Sequence, residues 1–385
     1  MIAGFEEAEF KRRTENLQAL MAEHRLDALL LTGPADIFYV TGFLTQFWES
    51  PARPWFVVLP KAGRPIAVIP TIGVPLMSAS WVGEILSWSA PDPVDDGVSL
   101  LAESLRAHVP HTGRLGLPMG LETHLRMPLA DWKRVQDLIA PRAIVDATSV
   151  LHRVREIKSE AEIDRIRHTC AVADAAFAKV PHLVRAAPQQ DAVARRFQAA
   201  LLAAGADWVS YLACASGPGG YGDIIAPAQP LPLQKGDVLM LDTGAVRAGY
   251  FCDFDRNYSL GPPCSEVATT HGALHGAIDD ALAEIRPGLR ACDVHSLLAG
   301  GLERRGARPG AGRMGHGLGL TLTEWPSFTP ADQTPLRAGM VLTLEPSAEM
   351  EDGRMLVHEE NIVLREDGAE LLSSRAAPEM EVIEL

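Results

Sequence analysis

The sequence predicts a two-domain protein of mixed α/β (α+β) class, with a small N-terminal α/β domain over residues 1–155 and a larger C-terminal domain over residues 156–385. Three observations support this prediction. A chain of 385 residues is long enough for two separate hydrophobic cores. Short apolar runs bounded by glycine and proline are frequent in the first 150 residues, whereas a long helical pattern begins near residue 159.

The N-terminal part alternates between helix-like and strand-like segments. FKRRTENLQALMAEHRL spaces its apolar residues as an amphipathic helix does. DALLLTG, WFVVLP and PIAVIP are short apolar runs ended by glycine or proline, which is typical of buried strands. ADIFYVTGF is expected to contain one further short element.

A helix start marks the domain boundary, which we place near residue 155. Ser159 is the predicted N-cap and Glu162 its capping-box partner, so a helix of more than twenty residues is expected. Helices continue to about residue 203, and DVLMLDTGAV with YFCDFDRNYSLG then predicts a β-hairpin. ATTHGALHGAIDDALAEIRPG and VHSLLAGGLERRG are predicted helices. MVLTLEPSA and MLVHEENIVLRE are predicted as two late strands joined by the turn MEDGR.

Composition and charge argue against several classes of partner. The net charge of −14 disfavours nucleic acid and anionic membrane surfaces, because both bind basic patches. No apolar run reaches the ~20 residues that span a bilayer, and the acidic start MIAGFEEAEFKRR is unlike a signal peptide. Five scattered cysteines without a CxxC pair indicate reduced thiols, so a cytoplasmic protein is expected.

Two aspartates on a predicted hairpin form the first part of a candidate catalytic set. Asp242 ends the apolar run VLML, and Asp253 follows eleven residues later on the returning strand. Two carboxylates that face each other are costly unless a cation neutralises them. The alternative is that each is a turn aspartate bonded to its own backbone.

Two glutamates and one histidine complete the set. Glu345 and Glu359 each interrupt an apolar segment at a strand end, where a lone glutamate is usually solvated, and His316 lies in the glycine-rich stretch GHGLGL. Four carboxylates and one imidazole can hold two divalent metals roughly 3.5–4 Å apart, which activate a shared water and polarise a carbonyl. Mostly oxygen ligands with one nitrogen suit Mn²⁺, Fe²⁺, Co²⁺ or Zn²⁺. The alternative for His316 is a buried structural histidine.

These motifs resemble those of the pita-bread metallohydrolases, which include prolidase, aminopeptidase P and methionine aminopeptidase. LDTGAVRAGYFCDFDR is similar to the family's D-x-G…GY-x-x-D-x-x-R, GHGLGL with EWP to G-H-G-I-G-L…H-E-x-P, and AGMVLTLEP to P-G-M-x-x-x-x-E-P. The resemblance covers nearly the whole chain, and the two-domain plan is closest to creatinase and prolidase. It implies a creatinase-like N-terminal domain, a C-terminal pita-bread domain and five metal ligands. These are Asp242, Asp253, His316, Glu345 and Glu359.

The resemblance also implies a cofactor and a role for one ligand. Two divalent ions are expected, with Mn²⁺ as first choice and Zn²⁺, Co²⁺ or Fe²⁺ as alternatives. Glu345 is implied as both metal ligand and general base.

The chain departs from the family at three positions. Thr323 stands where prolidase-like peptidases have a second histidine that helps to hold substrate. A further family histidine falls at about Ile224 in ASGPGGYGDIIAP, and Val357 replaces an arginine two positions before the last ligand. Losing one donor to a developing oxyanion costs roughly 10²–10³ in rate, so other residues are expected to substitute. We predict a catalytic role for the Thr323 hydroxyl and substrate contacts from Tyr221, Asp223, Ile224 and His358, with Arg354 as a further candidate.

Several nearby polar residues have structural alternatives. Tyr221 and Asp223 fit a plain flexible loop equally well. His271 and His275, four apart on one helix, are expected at the surface or in a subunit contact. Asp255 is expected to bond Arg256 or to support a ligand.

The resemblance implies a dinuclear-metal hydrolase that cleaves a C–N bond in a dipeptide or another small molecule. The expected activity is like that of an Xaa-Pro dipeptidase or aminopeptidase, but weaker on ordinary Xaa-Pro dipeptides because of the missing histidines. Alternatives are creatinase-like, ectoine-hydrolase-like and dimethylsulfoniopropionate-lyase-like enzymes, or an inactive binding scaffold. Gly244, where the lyase has an extra aspartate, disfavours the lyase, and the intact ligand set disfavours creatinase and the inactive scaffold. A homodimer is expected, in which Phe47 and Trp48 either line the partner's pocket or pack as ordinary aromatics.

Overall fold

The structure is a computed structural model that describes residues 4–50, 52 and 54–385. Contacts among the described residues divide the chain into two units, Met1–Arg155 and Glu156–Leu385. Among those residues, no helix combines the length and the apolar character that crossing a membrane requires.

The first unit is built on a mixed sheet. Its helices are α1 (Glu7–Glu23), α2 (Pro34–Thr41), α3 (Val74–Met77), α4 (Val98–His108), α5 (Leu129–Ile139) and α6 (Thr148–Arg155). Its strands are β1 (Ala28–Leu31), β2 (Phe56–Pro60), β3 (Ile66–Pro70), β4 (Glu84–Trp88), β5 (Arg114–Leu117) and β6 (Ala143–Asp146). The strand order is β4-β3-β2-β1-β5-β6, with β1–β2 and β2–β3 antiparallel and the other pairs parallel.

The predicted N-terminal segments form the expected elements. The three apolar runs become β1, β2 and β3, whose residues are all buried, and the amphipathic pattern becomes α1. ADIFYVTGF forms α2, which begins at Pro34 and ends at Gly42 in the left-handed conformation that glycine adopts without strain. Trp48 is buried against Phe43 and Trp55, which favours ordinary aromatic packing, whereas Phe47 is half exposed.

The second unit contains the remaining elements. Its helices are α7 (Glu160–Phe177), α8 (Val180–Ala186), α9 (Gln190–Ala204), α10 (Ser265–Glu284) and α11 (Ala291–Arg304). Its strands are β7 (Trp208–Pro218), β8 (Asp237–Arg247), β9 (Tyr250–Phe251), β10 (Phe254–Leu260), β11 (Arg308–Pro309), β12 (His316–Gly317), β13 (Glu324–Ser327), β14 (Val341–Leu344), β15 (Ser347–Glu349), β16 (Met355–Val357), β17 (Glu360–Arg365), β18 (Gly368–Leu371) and β19 (Glu381–Ile383).

These strands form three sheets. One has the order β19-β10-β8-β7 with β9 paired to β8, the second has the order β13-β12-β14-β17-β18, and the third has the order β11-β15-β16. The predicted β8–β10 hairpin is confirmed as an antiparallel pair. Ser159 and Glu162 form the predicted capping box, although α7 ends at Phe177 and is shorter than expected.

The prediction of two continuous late strands is wrong in detail. Each breaks in the middle, giving β14 then β15, and β16 then β17. Pro346 lies at the first break, where its missing N–H cannot join a strand ladder. The breaks let both segments leave one sheet and enter another.

Candidate metal centre

Two overlapping groups of side chains bring the five predicted ligands together. In the first group, ligand atoms of Asp253, His316 and Glu345 all lie within 4.8 Å of one another. In the second group, ligand atoms of Asp242, Asp253 and Glu359 also lie within 4.8 Å of one another. Asp253 belongs to both groups, which is the arrangement expected of a carboxylate that bridges two ions.

The β8–β10 hairpin supplies the two aspartates. Asp242 lies within β8 in register with Asp255 of β10, so both side chains lie on one face of the sheet. Asp253 comes just before β10, and its amide donates to Asn361 Oδ1 over 3.0 Å. Asn361 Nδ2 donates in turn to the Asp253 carbonyl. Asn361 therefore fixes the backbone that presents the shared carboxylate.

The two glutamates lie where the chain passes between sheets. β14 pairs with β17 in the sheet of order β13-β12-β14-β17-β18, whereas β15 pairs with β16 in the three-stranded sheet. Glu345 follows β14 at this crossing, and its amide donates to the carbonyl of Met314 over 3.1 Å. Glu359 precedes β17, and its amide donates to Asp255 Oδ1 over 2.7 Å. The irregular backbone at the crossing thus holds both carboxylates against the aspartates.

His316 presents one ring nitrogen to the acids. Its Nδ1 lies 2.7 Å from the carbonyl of Gly317, so Nδ1 carries the proton that is donated there. Its Nε2 lies 3.2 Å from Asp253 Oδ2 and 3.3 Å from Glu345 Oε2. The backbone amide of His316 donates to the Thr343 hydroxyl over 2.9 Å. This arrangement fits an imidazole that binds metal through Nε2.

The glycines around His316 are needed for close strand packing. A Cβ on Gly315, whose φ is 145°, would lie 2.3 Å from the carbonyl oxygen of Thr343. A Cβ on Gly317 would lie 2.3 Å from the carbonyl oxygen of Trp325. The glycines therefore let neighbouring strands approach the backbone on either side of the histidine.

Burial makes several of these carboxylates difficult to ionise. Burial raises the pKa of Asp242 and of Glu359 well above their usual values, and neighbouring carboxylates raise both further. The pKa of Asp253 is also raised, because burial outweighs the hydrogen bond and the charge of His316. The cluster therefore favours added positive charge.

The pKa values of Glu345 and His316 are shifted in opposite directions. Burial would raise the pKa of Glu345, but the charges and hydrogen bonds of His316 and Arg313 outweigh it and hold the pKa below its usual value. Burial lowers the pKa of His316, whereas Glu345 and Asp253 raise it by more, to about 10. Glu345 is thus the carboxylate of the cluster that is most readily kept ionised.

The donor atoms fit divalent ions. Asp242 Oδ1 and Glu359 Oε2 are buried and have no hydrogen-bond partner among the described residues. Buried, unpartnered carboxylate oxygens are costly unless a cation binds them. Oxygen donors with one imidazole suit Mn²⁺, Zn²⁺, Co²⁺ or Fe²⁺.

Comparison with known families agrees with this donor set. The profile of metallopeptidase family M24 matches residues 164–366, and that of the creatinase/prolidase N-terminal domain matches residues 13–157. The chain belongs to metallopeptidase family M24. The expected creatinase-like domain and pita-bread domain are therefore confirmed, and the protein is a metallohydrolase.

Similar proteins of this M24 family are peptidases by name. A probable dipeptidase PepE of Mycobacterium tuberculosis is 30% identical over 370 residues, which cover 95% of this chain and 94% of the relative. The crystal structure of dipeptidase PepE from Mycobacterium ulcerans has a TM-score of 0.84 at 28% identity, covering 99% of this chain and 100% of that one. The prolidase of Thermococcus sibiricus shares the fold, with a TM-score of 0.86 at 24% identity over 97% of this chain and 99% of that one.

Thr323, at the first departure from the family pattern, is tied to Glu345 through Arg313. Arg313 Nε donates to Glu345 Oε1 over 3.1 Å, and Arg313 Nη2 donates to the Thr323 hydroxyl over 3.2 Å. Sequence reasoning missed Arg313, although GAGRMGHG places it three residues before the predicted histidine ligand. In this M24 enzyme, Arg313 is therefore a cation that directly contacts a predicted ligand.

Tyr221 does not match its predicted role as a substrate contact. Its ring is buried, its hydroxyl accepts the amide of Val357 over 2.8 Å, and the hydroxyl donates to Asn257 Oδ1 over 2.9 Å. Its backbone also pairs with Met355. Because both hydrogen-bonding directions of the hydroxyl are used, Tyr221 joins the loop to β16 and does not lie in a flexible loop.

The rest of that loop is more open. Asp223 is exposed, and its Oδ1 accepts the amides of Ile225 and Ala226 over 2.7 and 2.8 Å, so it forms an Asx turn. Ile224 is half-buried, and its carbonyl accepts the Tyr211 hydroxyl over 3.2 Å. Arg354 was the further candidate for a substrate contact. Its Nη1 donates to the carbonyls of Pro218 and Gly219.

Tyr211 is a second residue that sequence reasoning missed. It lies on β7 beside β8, and burial together with the charge of Asp242 raises the pKa of its phenol. Its hydroxyl therefore stays protonated at the edge of the acid cluster, where it donates to the Ile224 carbonyl.

His358 does not match its predicted role as a substrate contact, because it is enclosed within the second unit. Its side chain is 1% exposed, its Nε2 lies 2.8 Å from Arg375 Nη1, and its ring stacks on that of His275. The expectation that His271 and His275 lie at the surface is wrong, since both are buried. Helix α10 packs against α11 on one side and contacts β15, β16 and β18, so a helix face that looked polar is covered.

Proposed function

We propose that this M24 enzyme is a dipeptidase that uses two divalent metal ions. The observation that carries the proposal is the pair of ligand groups that share Asp253. The ions would be held by Asp242, Asp253, His316, Glu345 and Glu359, with Mn²⁺ as the expected ion. The named dipeptidase relatives, aligned over nearly the whole chain, support a small peptide as the substrate.

The residues around the cluster suggest how a peptide bond would be broken. When divalent ions are bound, they polarise a carbonyl and lower the pKa of water toward ~7. In the overall reaction, a water oxygen bonds to the amide carbon, the C–N bond breaks and the amine nitrogen gains a proton. Glu345, whose pKa is held low by His316 and Arg313, would accept the water proton and pass it to the leaving nitrogen.

Other side chains hold this arrangement. Gly317, through its carbonyl, keeps His316 in the tautomer that leaves Nε2 free for an ion. Asn361 and Asp255 hold the backbone at Asp253 and Glu359. The homodimer and the cytoplasmic location remain predictions.

Metal content of single variants tests the proposal. After removal of metal and reconstitution with Mn²⁺, elemental analysis of the wild-type protein should give two ions per chain. His316→Ala and Glu359→Gln should each retain about one ion, because each removes a ligand from one group. Asp253→Asn should lose both ions, because its carboxylate serves both groups.

The same proteins should be assayed for hydrolysis of a panel of Xaa-Pro and other dipeptides. Wild-type protein with two ions should cleave at least one of them, and the metal-free protein none. Asp164→Asn is the matched control, because this exposed carboxylate pairs with Arg167 on α7 and should change neither metal content nor rate. A protein that binds two ions but cleaves no dipeptide would contradict the proposed activity.

A further inference from the structure

Most of the charges at the candidate metal centre are negative, and a dipeptide carries a carboxylate close to its scissile bond. The free carboxylate of a dipeptide is two covalent bonds from the scissile nitrogen, roughly 2.5 Å away. Two bound divalent ions would offset the four ligand carboxylates and leave no excess positive charge for this group, so a further cation nearby would favour its binding. Val357, at the position of the family's arginine, is buried and apolar.

Among the residues that the structure describes, Arg313 is the arginine or lysine that directly contacts this cluster. Its Nε donates to Glu345 Oε1 over 3.1 Å, and its charge helps to lower the pKa of Glu345 and opposes the rise in the pKa of Asp253. Its side chain is 37% exposed, so the guanidinium meets both the cluster and solvent.

One edge of the Arg313 guanidinium remains available. Nε is used by Glu345 and one hydrogen of Nη2 by Thr323, whereas Nη1 makes no hydrogen bond to the described residues. A guanidinium has five N–H donors, and its Nη1–Nη2 edge matches the two oxygens of a carboxylate. The bond to the Thr323 hydroxyl uses one Nη2 hydrogen, so the other Nη2 hydrogen and both Nη1 hydrogens remain for a carboxylate.

We propose that Arg313 binds the free carboxylate of the substrate and so restricts this enzyme to peptides that end one residue after the scissile bond. Guanidinium nitrogens lie about 2.8 Å from a bound carboxylate oxygen. A group about 5 Å from the scissile nitrogen is therefore required, and Arg313 lies beside Glu345, which handles the proton at that nitrogen. A longer peptide would place a neutral amide at Arg313 and leave its charge unpaired.

This inference rests on the proposed function only in placing the substrate at the metal centre. The competing role is that Arg313 merely positions Glu345. In that case its loss would weaken acid and amide substrates equally, whereas carboxylate recognition adds a loss that only the acids show.

The test compares Ala-Ala and Ala-Pro with their C-terminal carboxamides on the Mn²⁺-loaded protein. Wild type should prefer the free acid in kcat/KM. Arg313→Gln should lower kcat/KM for both substrates, because it removes the bond to Glu345, but by about 10- to 100-fold more for the acids than for the amides, with the extra loss chiefly in KM. Arg313→Lys should retain part of the preference, because it keeps the charge but loses the planar fork. Arg195→Gln removes an exposed arginine from α9 and should leave the preference unchanged.

A binding measurement separates this inference from the hydrolytic activity. The probes are the reduced-amide analogue of Ala-Ala, in which CH₂ replaces the scissile carbonyl, and its C-terminal carboxamide, titrated by calorimetry. Wild type should bind the acid more tightly, and Arg313→Gln should remove the difference. Tighter binding of the acid without any hydrolysis would reject the dipeptidase proposal and retain this one. Equal affinity of wild type for acid and amide, no binding of the acid, or an unchanged preference in Arg313→Gln would overturn it.

Discussion

Asp255 and Asp242 face each other across the β8–β10 pair, yet their carboxylates differ in hydrogen bonding. Asp242 belongs to the candidate metal centre, and its buried Oδ1 has no hydrogen-bond partner among the described residues. Asp255 is completely buried, accepts the amide of Glu359 through Oδ1 and accepts from Asn257 through Oδ2. Of the two roles predicted for Asp255, the hydrogen bond to the predicted ligand Glu359 fits the supporting one. Arg256, the other predicted partner, donates to the backbone carbonyl of Asp255.

Asp255→Asn should weaken metal binding without removing a ligand. The substitution keeps the shape but replaces one acceptor with a donor, so either the Glu359 amide or Asn257 Nδ2 faces another donor and Glu359 should shift. We expect a loss of about 10- to 100-fold in Mn²⁺ affinity, measured by calorimetry. Asp237→Asn is the matched control, since Asp237 begins the same strand and accepts the amide of Gln234. Unchanged affinity in Asp255→Asn would show that the bond does not position Glu359.

Thr323→Val should lower activity modestly. Valine keeps the shape of threonine but removes the acceptor of the Arg313 bond, so the guanidinium plane is no longer fixed. We expect kcat/KM on the best dipeptide to fall by about tenfold, in the range for one hydrogen bond to a charged group. Thr323→His should raise activity on Xaa-Pro dipeptides if this position sets specificity. If Thr323→Val is silent and Thr323→His gives no gain, this departure from the family pattern is incidental.

Lys158→Met should destabilise the second unit strongly. Lys158 Nζ lies 2.9 Å from Glu324 Oε2, and both side chains are almost completely buried. Glu324 also accepts the amide of Leu320, so its charge would stay buried without the lysine. We expect a loss of about 3–5 kcal/mol in the free energy of unfolding, measured with urea. Lys61→Met, which removes an exposed pair with Asp27, should cost under about 1 kcal/mol.

His271→Phe should flatten the dependence of stability on pH. Burial lowers the pKa of His271 from 6.5 to about 4, with smaller lowering from His358, His275 and Arg375 and an opposing contribution from the backbone of Ala377. The unfolded chain takes up a proton near pH 6.5, but the folded chain does so only near pH 4. Stability is therefore fully present above pH 6.5 and falls as the pH drops, by up to roughly 3 kcal/mol.

Urea unfolding of wild type and His271→Phe at pH 7.5, 6 and 5 measures this difference. The variant should gain stability relative to wild type as the pH falls. His168→Gln, an exposed histidine on α7, is the control and should follow wild type. Parallel pH profiles of wild type and His271→Phe would show that His271 does not titrate as proposed.

The candidate metal centre was easier to predict than its surroundings. Glu345 and Glu359 interrupt apolar runs, so their places at strand ends could be predicted from local patterns, whereas Asp242, also expected at a strand end, lies in the middle of β8. Asn361 and Arg313 could not, because their partners lie 108 and 32 residues away in sequence. His271 and His275 were misplaced because a polar helix face gives no sign that it packs against β16.

The breaks in the late strands show a similar limit. Pro346 signals the first break, but nothing in the local sequence shows that the two segments then enter another sheet. That crossing is a long-range property of strand pairing, and it carries both Glu345 and Glu359.

The contrast between ligands and neighbours bears on how such an enzyme diversifies. The ligands are anchored by strand pairing and by backbone bonds, so a change there disturbs the fold as well as the metal. Arg313 and Thr323 lie instead in the connections that flank β12 and reach the site through side chains alone. Mutations at these two positions can redirect substrate choice at little cost to folding, so natural variants of this scaffold should differ first there.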